Sequence, residues 1–87
     1  MQSALVDPEL VRLLRCPETM QTLKAADPAQ LTKLNQLVSR GELRNRAGSV
    51  VSEKFDTGLV RSDGKIMYPV CQGIPIMLVE EAVALQT

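Results

Sequence analysis

The residues able to do chemistry in this chain are few. Cys16 opens the run Cys16-Pro17-Glu18-Thr19, Cys71 stands alone much later, and Glu80-Glu81 are adjacent carboxylates near the end. A metal knuckle uses Cys-x-x-Cys so that two thiolates from one turn grip one ion. Thr19 stands where the second sulfur belongs, and a hydroxyl is a poor substitute for a thiolate. Adding Cys71 still leaves a coordination sphere half empty. The sequence contains no histidine, which removes the usual general base and the commonest zinc ligand together. Without a base to activate it, Cys16 is expected to be a small buried apolar residue. Neighbouring carboxylates on an extended chain point to opposite sides, so Glu80 and Glu81 make a poor acid–base pair. No glycine-rich phosphate loop is present. These residue types imply a non-enzyme that uses no cofactor and no metal.

Bulk properties narrow the class further. Ten basic and ten acidic side chains give zero formal charge, whereas a nucleic-acid binder carries a basic excess to neutralise phosphates. Arg40, Arg44 and Arg46 are the one local concentration; Glu42 interrupts it, and it reads as a solvated loop. No apolar run is long enough to span a bilayer. The first residues, Met1-Gln2-Ser3-Ala4-Leu5-Val6-Asp7, lack the basic-then-apolar pattern of a secretory signal. Two distant cysteines make no disulfide framework, so a cytoplasmic protein with reduced thiols is expected. A length of 87 residues implies one domain over 1–87 with a thin core. With Phe55 and Tyr68 the only aromatic residues, aliphatic side chains must build that core.

The elements that position these residues follow from punctuation and periodicity. Asp7-Pro8-Glu9 is a helix start; Leu10, Val11, Leu13 and Leu14 supply an apolar stripe, and Pro17 ends the helix by Cys16. Residues 20–24 suit a short strand. Asp27-Pro28-Ala29-Gln30 is a second start with capping-box spacing. It opens a helix over 28–40 whose stripe is Leu31, Leu34, Leu37 and Val38, closed by Gly41. Beyond Leu43 the pattern becomes extended. Strands around Leu59-Val60-Arg61-Ser62 and Lys65-Ile66-Met67-Tyr68 flank Asp63-Gly64 as a tight hairpin. Residues 74–79 form a further strand, apolar on both faces, with Pro75 at an edge or bulge. Residues 80–85 suit a terminal helical turn. The fold class is α+β, a small, mostly antiparallel sheet with two helices.

Two segments resemble the Trm-one-twelve family of small subunits that bind and activate class I SAM-dependent methyltransferases, including its short bacterial relatives and the mitochondrial relative preY. They are Leu14-Arg15-Cys16-Pro17-Glu18-Thr19-Met20-Gln21-Thr22-Leu23 and Gly58-Leu59-Val60-Arg61 continuing through Met67-Tyr68-Pro69-Val70-Cys71-Gln72-Gly73-Ile74-Pro75-Ile76-Met77-Leu78. The resemblance implies a zinc-ribbon-like fold with a central helical insertion at about 27–41. Zinc-bearing members have four ligand positions that fall here on Cys16, Thr19, Arg61 and Gly64, of which only Cys16 keeps a ligand, so the ribbon is expected without its metal.

The same resemblance implies a non-catalytic interaction subunit that pairs an edge strand with a methyltransferase and covers apolar surface on it. The partner surface is expected at Met67, Tyr68, Pro69, Val70, Gly73, Ile74, Pro75, Ile76 and Met77, with Met67 and Met77 as adaptable contacts. The partner would hold the cofactor. Direct nucleic-acid and membrane contact are not expected. A second reading is a self-associating structural protein, a homodimer through the same edge. A third is a redox or metal site made from Cys16 and Cys71.

Overall fold

The computed structural model describes residues 8–85; the Asp7 cap expected for the first helix lies outside them. The elements in chain order are α1 (Pro8–Leu13), β1 (Leu23–Ala25), α2 (Pro28–Ser39), β2 (Thr57–Arg61), β3 (Ile66–Cys71), β4 (Ile74–Pro75), a 3-10 turn (Val79–Glu81) and β5 (Val83–Ala84). Every strand pairing is antiparallel, in the order β1-β2-β3-β4, with β5 also on β3. This is the α+β class, two helices on an antiparallel sheet, that the sequence pattern implies.

α2 forms where its start signals stand. Asp27 is extended and its carboxylate accepts the Ala29 N–H at 3.4 Å, while Pro28 occupies the first turn. Its stripe buries Leu34 and Val38, with Leu31 and Leu37 partly covered, against Leu43, Phe55, Val60, Met67 and Val83. The opposite sheet face carries Cys16, Leu23, Leu59, Ile66, Tyr68, Val70 and Ala82, covered by Val11 and Leu14 of the first helical segment and by Met77. Alternation along β3 explains this division, since successive side chains point to opposite faces. β3 is thus the central strand, with cover on both sides.

The hairpin from β2 to β3 has the register expected from the sequence, Leu59 opposite Tyr68 and Val60 opposite Met67. β3 turns into β4 through Gln72 and Gly73, whose φ angles are 55° and 78°. Two positive φ angles in a two-residue loop match the strand twist, and glycine meets the second without strain. The Asp56 carboxylate accepts the Gln72 N–H and fixes the turn.

The continuous strand expected over 74–79 does not form. β4 ends at Pro75, although Ile76 still donates its N–H to Pro69 O at 2.9 Å. Had that register continued, Met67 would face Leu78; it faces Val83 instead, five positions on. β4 and β5 are therefore one edge strand interrupted by an excursion that holds Leu78 and the 3-10 turn. The reason is competition for one edge: β5 takes the β3 positions Ile66 and Met67, and a straight strand from Ile74 would need the same donors and acceptors. The helical turn expected over 80–85 reduces to Val79–Glu81, and the residues after it are strand.

Gly58 lies beside Met67, and a Cβ placed there would overlap Met67 Sδ, Cγ and Cε. Met67 is fully buried and has nowhere to retreat. Gly58→Ala should therefore destabilise the fold by about 1–3 kcal/mol, seen as a lower urea midpoint with unchanged m-value. A wild-type midpoint would show that the sheet relaxes around the added methyl.

Candidate functional site: the Cys16–Arg61 cluster and the outer sheet margin

The turn carrying Cys16 is closed by its own main chain. Cys16 N–H donates to Gln21 O at 2.9 Å and Met20 N–H to Cys16 O at 2.7 Å. Flanking residues Arg15 and Thr22 form a bridge, and Met20 adopts φ 64°. This geometry points Cys16 into the core against Tyr68, with Sγ 2.9 Å from the Tyr68 hydroxyl.

Arg61 ends β2 on the same sheet face, with only 7% of its surface exposed. A buried guanidinium demands acceptors on all sides, and it has them. Its Nε donates to both Asp63 carboxylate oxygens at 3.0 Å, and Nη2 lies 2.9 Å from Asp63 Oδ2. Nη1 donates to Glu18 Oε1 at 3.1 Å and lies 3.7 Å from Cys16 Sγ. Glu18 in turn accepts from Arg46 Nη1 at 2.6 Å and Nη2 at 3.3 Å. The expectation that Arg46 belongs to a merely solvated loop is thus corrected: it is exposed, but it closes an ion-pair chain Arg46–Glu18–Arg61–Asp63. Gln21 ties the same turn to the hairpin, accepting from Asp63 N–H at 3.1 Å and from the Ser62 hydroxyl at 2.8 Å.

This surrounding changes the character of Cys16. Burial alone raises its thiol, but hydrogen bonds from the Thr19 hydroxyl, Tyr68, the Thr19 backbone and Arg61 outweigh that and bring it from 9.0 to about 6. Cys16 is buried as expected, yet in a polar niche that favours the thiolate. Arg61 is held charged, first by Asp63 and then by Cys16. Its guanidinium in turn holds Asp63 at about 2. The hydrogen bond and charge of Arg46 lower Glu18. Tyr68 is pushed up, first by burial and then by Cys16. Cys71 goes the other way from Cys16: burial, Asp56 and Glu53 all raise it. Both thiols are free.

The four positions that the resemblance assigns to metal ligands do converge in part. Cys16, Thr19 and Arg61 meet, and Gly64 holds the adjoining turn by donating its N–H to Arg61 O at 2.7 Å. The donor set does not fit a metal ion. One sulfur and one hydroxyl are short of a tetrahedral site, and the guanidinium at the centre repels a cation. Among the described residues no three His, Cys, Asp or Glu side chains gather to hold a metal.

The residues expected to touch a partner divide. Met67, Tyr68 and Val70 are fully buried, and Pro69 is buried too. Their placement on a contact surface is corrected: the doubly covered strand is β3, so these side chains build the chain's own core. Gly73, Pro75, Ile76 and Met77 are half-buried, and Ile74 is 62% exposed. Leu78, outside that expected set, is 58% exposed beside them, and α1 shows Leu10 and Leu13. The outer edge of β4 is poor in main-chain groups. Cys71 and Ile74 close the hairpin and Ile76 bonds Pro69, so Pro75 is the residue facing outward, and proline has no N–H to offer.

The fold and site together define a small α+β protein organised around a buried arginine–thiol cluster, with an apolar margin on its outer sheet edge. No protein-family model matches the chain, and no curated protein matches it. Among solved structures it is similar to XF2673 from Xylella fastidiosa, determined by NMR in solution. The two are 30% identical over 91% of this chain and 81% of that one, with a TM-score of 0.71. The chain belongs to the same family as that protein.

Two measurements test the cluster. The folded thiol titrates at about 6 against 9.0 unfolded, so between these values the unfolded chain binds more protons. The Cys16 contribution should grow as pH rises from 6 to 9 and vanish as pH falls through 6. Cys16→Ser should flatten urea stability across that window, and a slope unchanged from wild type would refute the thiolate assignment. Lysine cannot reproduce the guanidinium fork, so Arg61→Lys should cost about 2–3 kcal/mol in chemical denaturation; a loss under about 0.5 kcal/mol, as at an ordinary surface site, would show the cluster to be incidental.

Proposed function

We propose that this chain is a non-catalytic interaction subunit that docks a SAM-dependent methyltransferase through its outer sheet margin. The observation that carries the reading is the pair Ile74 and Leu78, both more than half exposed, beside half-buried Pro75, Ile76 and Met77. Large aliphatic side chains held in water on a broken edge strand lose that cost when a partner covers them. The contact is through side chains, because Pro75 leaves the β4 edge without a donor. The resemblance of the segments around Cys16-Pro17 and Tyr68-Pro69 to methyltransferase-activating subunits supports the choice of partner. The chemistry of the Cys16 cluster supports a non-catalytic role: its thiolate has no imidazole to trade protons with, and its arginine is engaged by Asp63, Glu18 and Cys16. In this role the cluster locks the domain and the margin does the binding.

The test is affinity purification from the source organism. A SAM-dependent methyltransferase should co-purify in near-stoichiometric amount with the wild-type chain and be lost with the Ile74→Asp/Leu78→Asp double variant, which circular dichroism should show to be folded. Recovery of no methyltransferase would overturn the proposal. A wild-type homodimer at micromolar concentration that the same double variant splits would assign the margin to self-association instead.

A further inference from the structure

The strand-pairing capacity that β4 lacks lies further along the same edge, at β5. β5 pairs β3 with Leu85 N–H bonded to Lys65 O at 2.8 Å and with Ile66 opposite Ala84. Antiparallel ladders alternate bonded and non-bonded pairs. The main-chain N–H and C=O of Ala84 therefore point away from β3. The same alternation holds in the hairpin before β2. Val51 N–H bonds Leu43 O, Asn45 N–H bonds Ser49 O, and Arg44 bridges Val50 between them, so the main-chain groups of Arg44 also point outward.

These two edges start to pair and then part. Arg46 N–H donates to Ala82 O at 2.9 Å, and the next antiparallel step would join Arg44 to Ala84. No such bond is made; among the described residues neither main-chain edge has a partner there. Between them opens a groove of about 620 Å³ that runs along α2, with Leu34, Leu37, Leu43 and Leu85 on its walls. Lys33 and Arg44 flank it with two positive charges against the single negative charge of Glu42. The Arg44 guanidinium is anchored by one hydrogen bond, Nη1 to Gly48 O at 2.8 Å, which leaves its other N–H groups for an anion.

We propose that this groove is a second docking site, taking an extended, acidic–apolar peptide segment of a partner protein as an added strand between Ala84 and Arg44. The parts each have a function in that mode. Unpaired main-chain edges give the affinity of strand addition, and alternate side-chain pockets give its selectivity. The leucine walls receive one face of the added strand, and Lys33 and Arg44 attract carboxylates on the other. The volume lies within the range of preformed ligand clefts. The site stands on its own geometry, apart from the Ile74 margin and independent of the methyltransferase reading.

The probe is an acetylated, amidated eight-residue peptide of alternating leucine and glutamate, titrated into isotope-labelled wild-type chain and followed by amide NMR shifts. Shifts should concentrate at Ala84, Arg44 and Leu43, and the Ala84 amide should gain protection from hydrogen exchange. A matched leucine–lysine peptide should bind at least about tenfold more weakly. Lys33→Glu should weaken the glutamate peptide by a similar factor with the fold intact. Ala84→Pro removes the outward donor and should abolish binding. No shift at about 1 mM peptide, equal response to both peptides, or shifts centred on Ile74 and Leu78 would each overturn the proposal. So would concentration-dependent shifts of Ala84 without peptide, which would assign the groove to a second copy of the chain.

Discussion

The need of one buried guanidinium for partners organises this small protein. Arg61 sits at the end of β2 with almost no access to water, and a cation there is tolerated only when its donors are met. Its acceptors come from separate parts of the chain: Asp63 from the hairpin turn, and Glu18 and Cys16 from the first turn. Glu18 then recruits Arg46 from the hairpin that precedes β2. Satisfying Arg61 thus requires these segments to be in register with one another. A thin core with few aromatics would constrain them weakly; directional, charge-assisted hydrogen bonds supply the missing specificity. Where the resemblance would put a metal ion, this chain places a cation that it carries covalently.

That arrangement explains which parts were legible in the sequence. α2 was readable because its cap, proline and leucine stripe are all local, within a few residues of one another. The β2–β3 hairpin was readable because Asp63-Gly64 and the flanking alternation point to one register. The break between β4 and β5 was not. The run from Ile74 to Val79 has strand character throughout, and nothing in it marks the residue at which it must yield β3's edge to Val83 and Ala84. The assignment of Met67, Tyr68 and Val70 to a partner surface failed for the same reason: periodicity shows that a strand is apolar on both faces but does not say whose side chains cover it. The Cys16–Arg61 contact joins residues 45 positions apart. Its only signal was a pair of unremarkable facts, an arginine in an apolar strand and acidic residues in two turns.

The site residues show how much turns on the partner of a side chain and how little on its type. Cys16 and Cys71 are both thiols within one small domain. One faces Thr19, Tyr68 and Arg61 and is drawn toward the thiolate; the other is pushed away from it, first by burial and then by the charges of Asp56 and Glu53. The absence of histidine from the sequence removes the imidazole that would ordinarily activate either thiol. It says nothing about the hydrogen bonds, from the Thr19 hydroxyl first and then Tyr68, the Thr19 backbone and Arg61, that outweigh burial and lower Cys16.

The two stretches of the sheet's interrupted edge, β4 and β5, differ in what they can offer another protein, and proline is the cause. On the β4 side Pro75 takes the one outward position where a donor would stand, so that margin presents aliphatic side chains without a main-chain ladder. On the β5 side the outward main-chain groups are the carbonyl of Ala82, whose N–H is bonded to Val79 O, and the N–H and C=O of Ala84. The chain itself uses the first of these, through Arg46, and leaves the second. An edge with free main-chain groups invites pairing with any extended chain; here it is recessed beside α2 and walled by leucines, which restricts access to a segment of matching pattern. Arg46 links this edge back to the centre of the molecule, because its main chain bonds Ala82 and its side chain bonds Glu18. The opening of the groove is therefore set by the same residue that completes the Arg61 network.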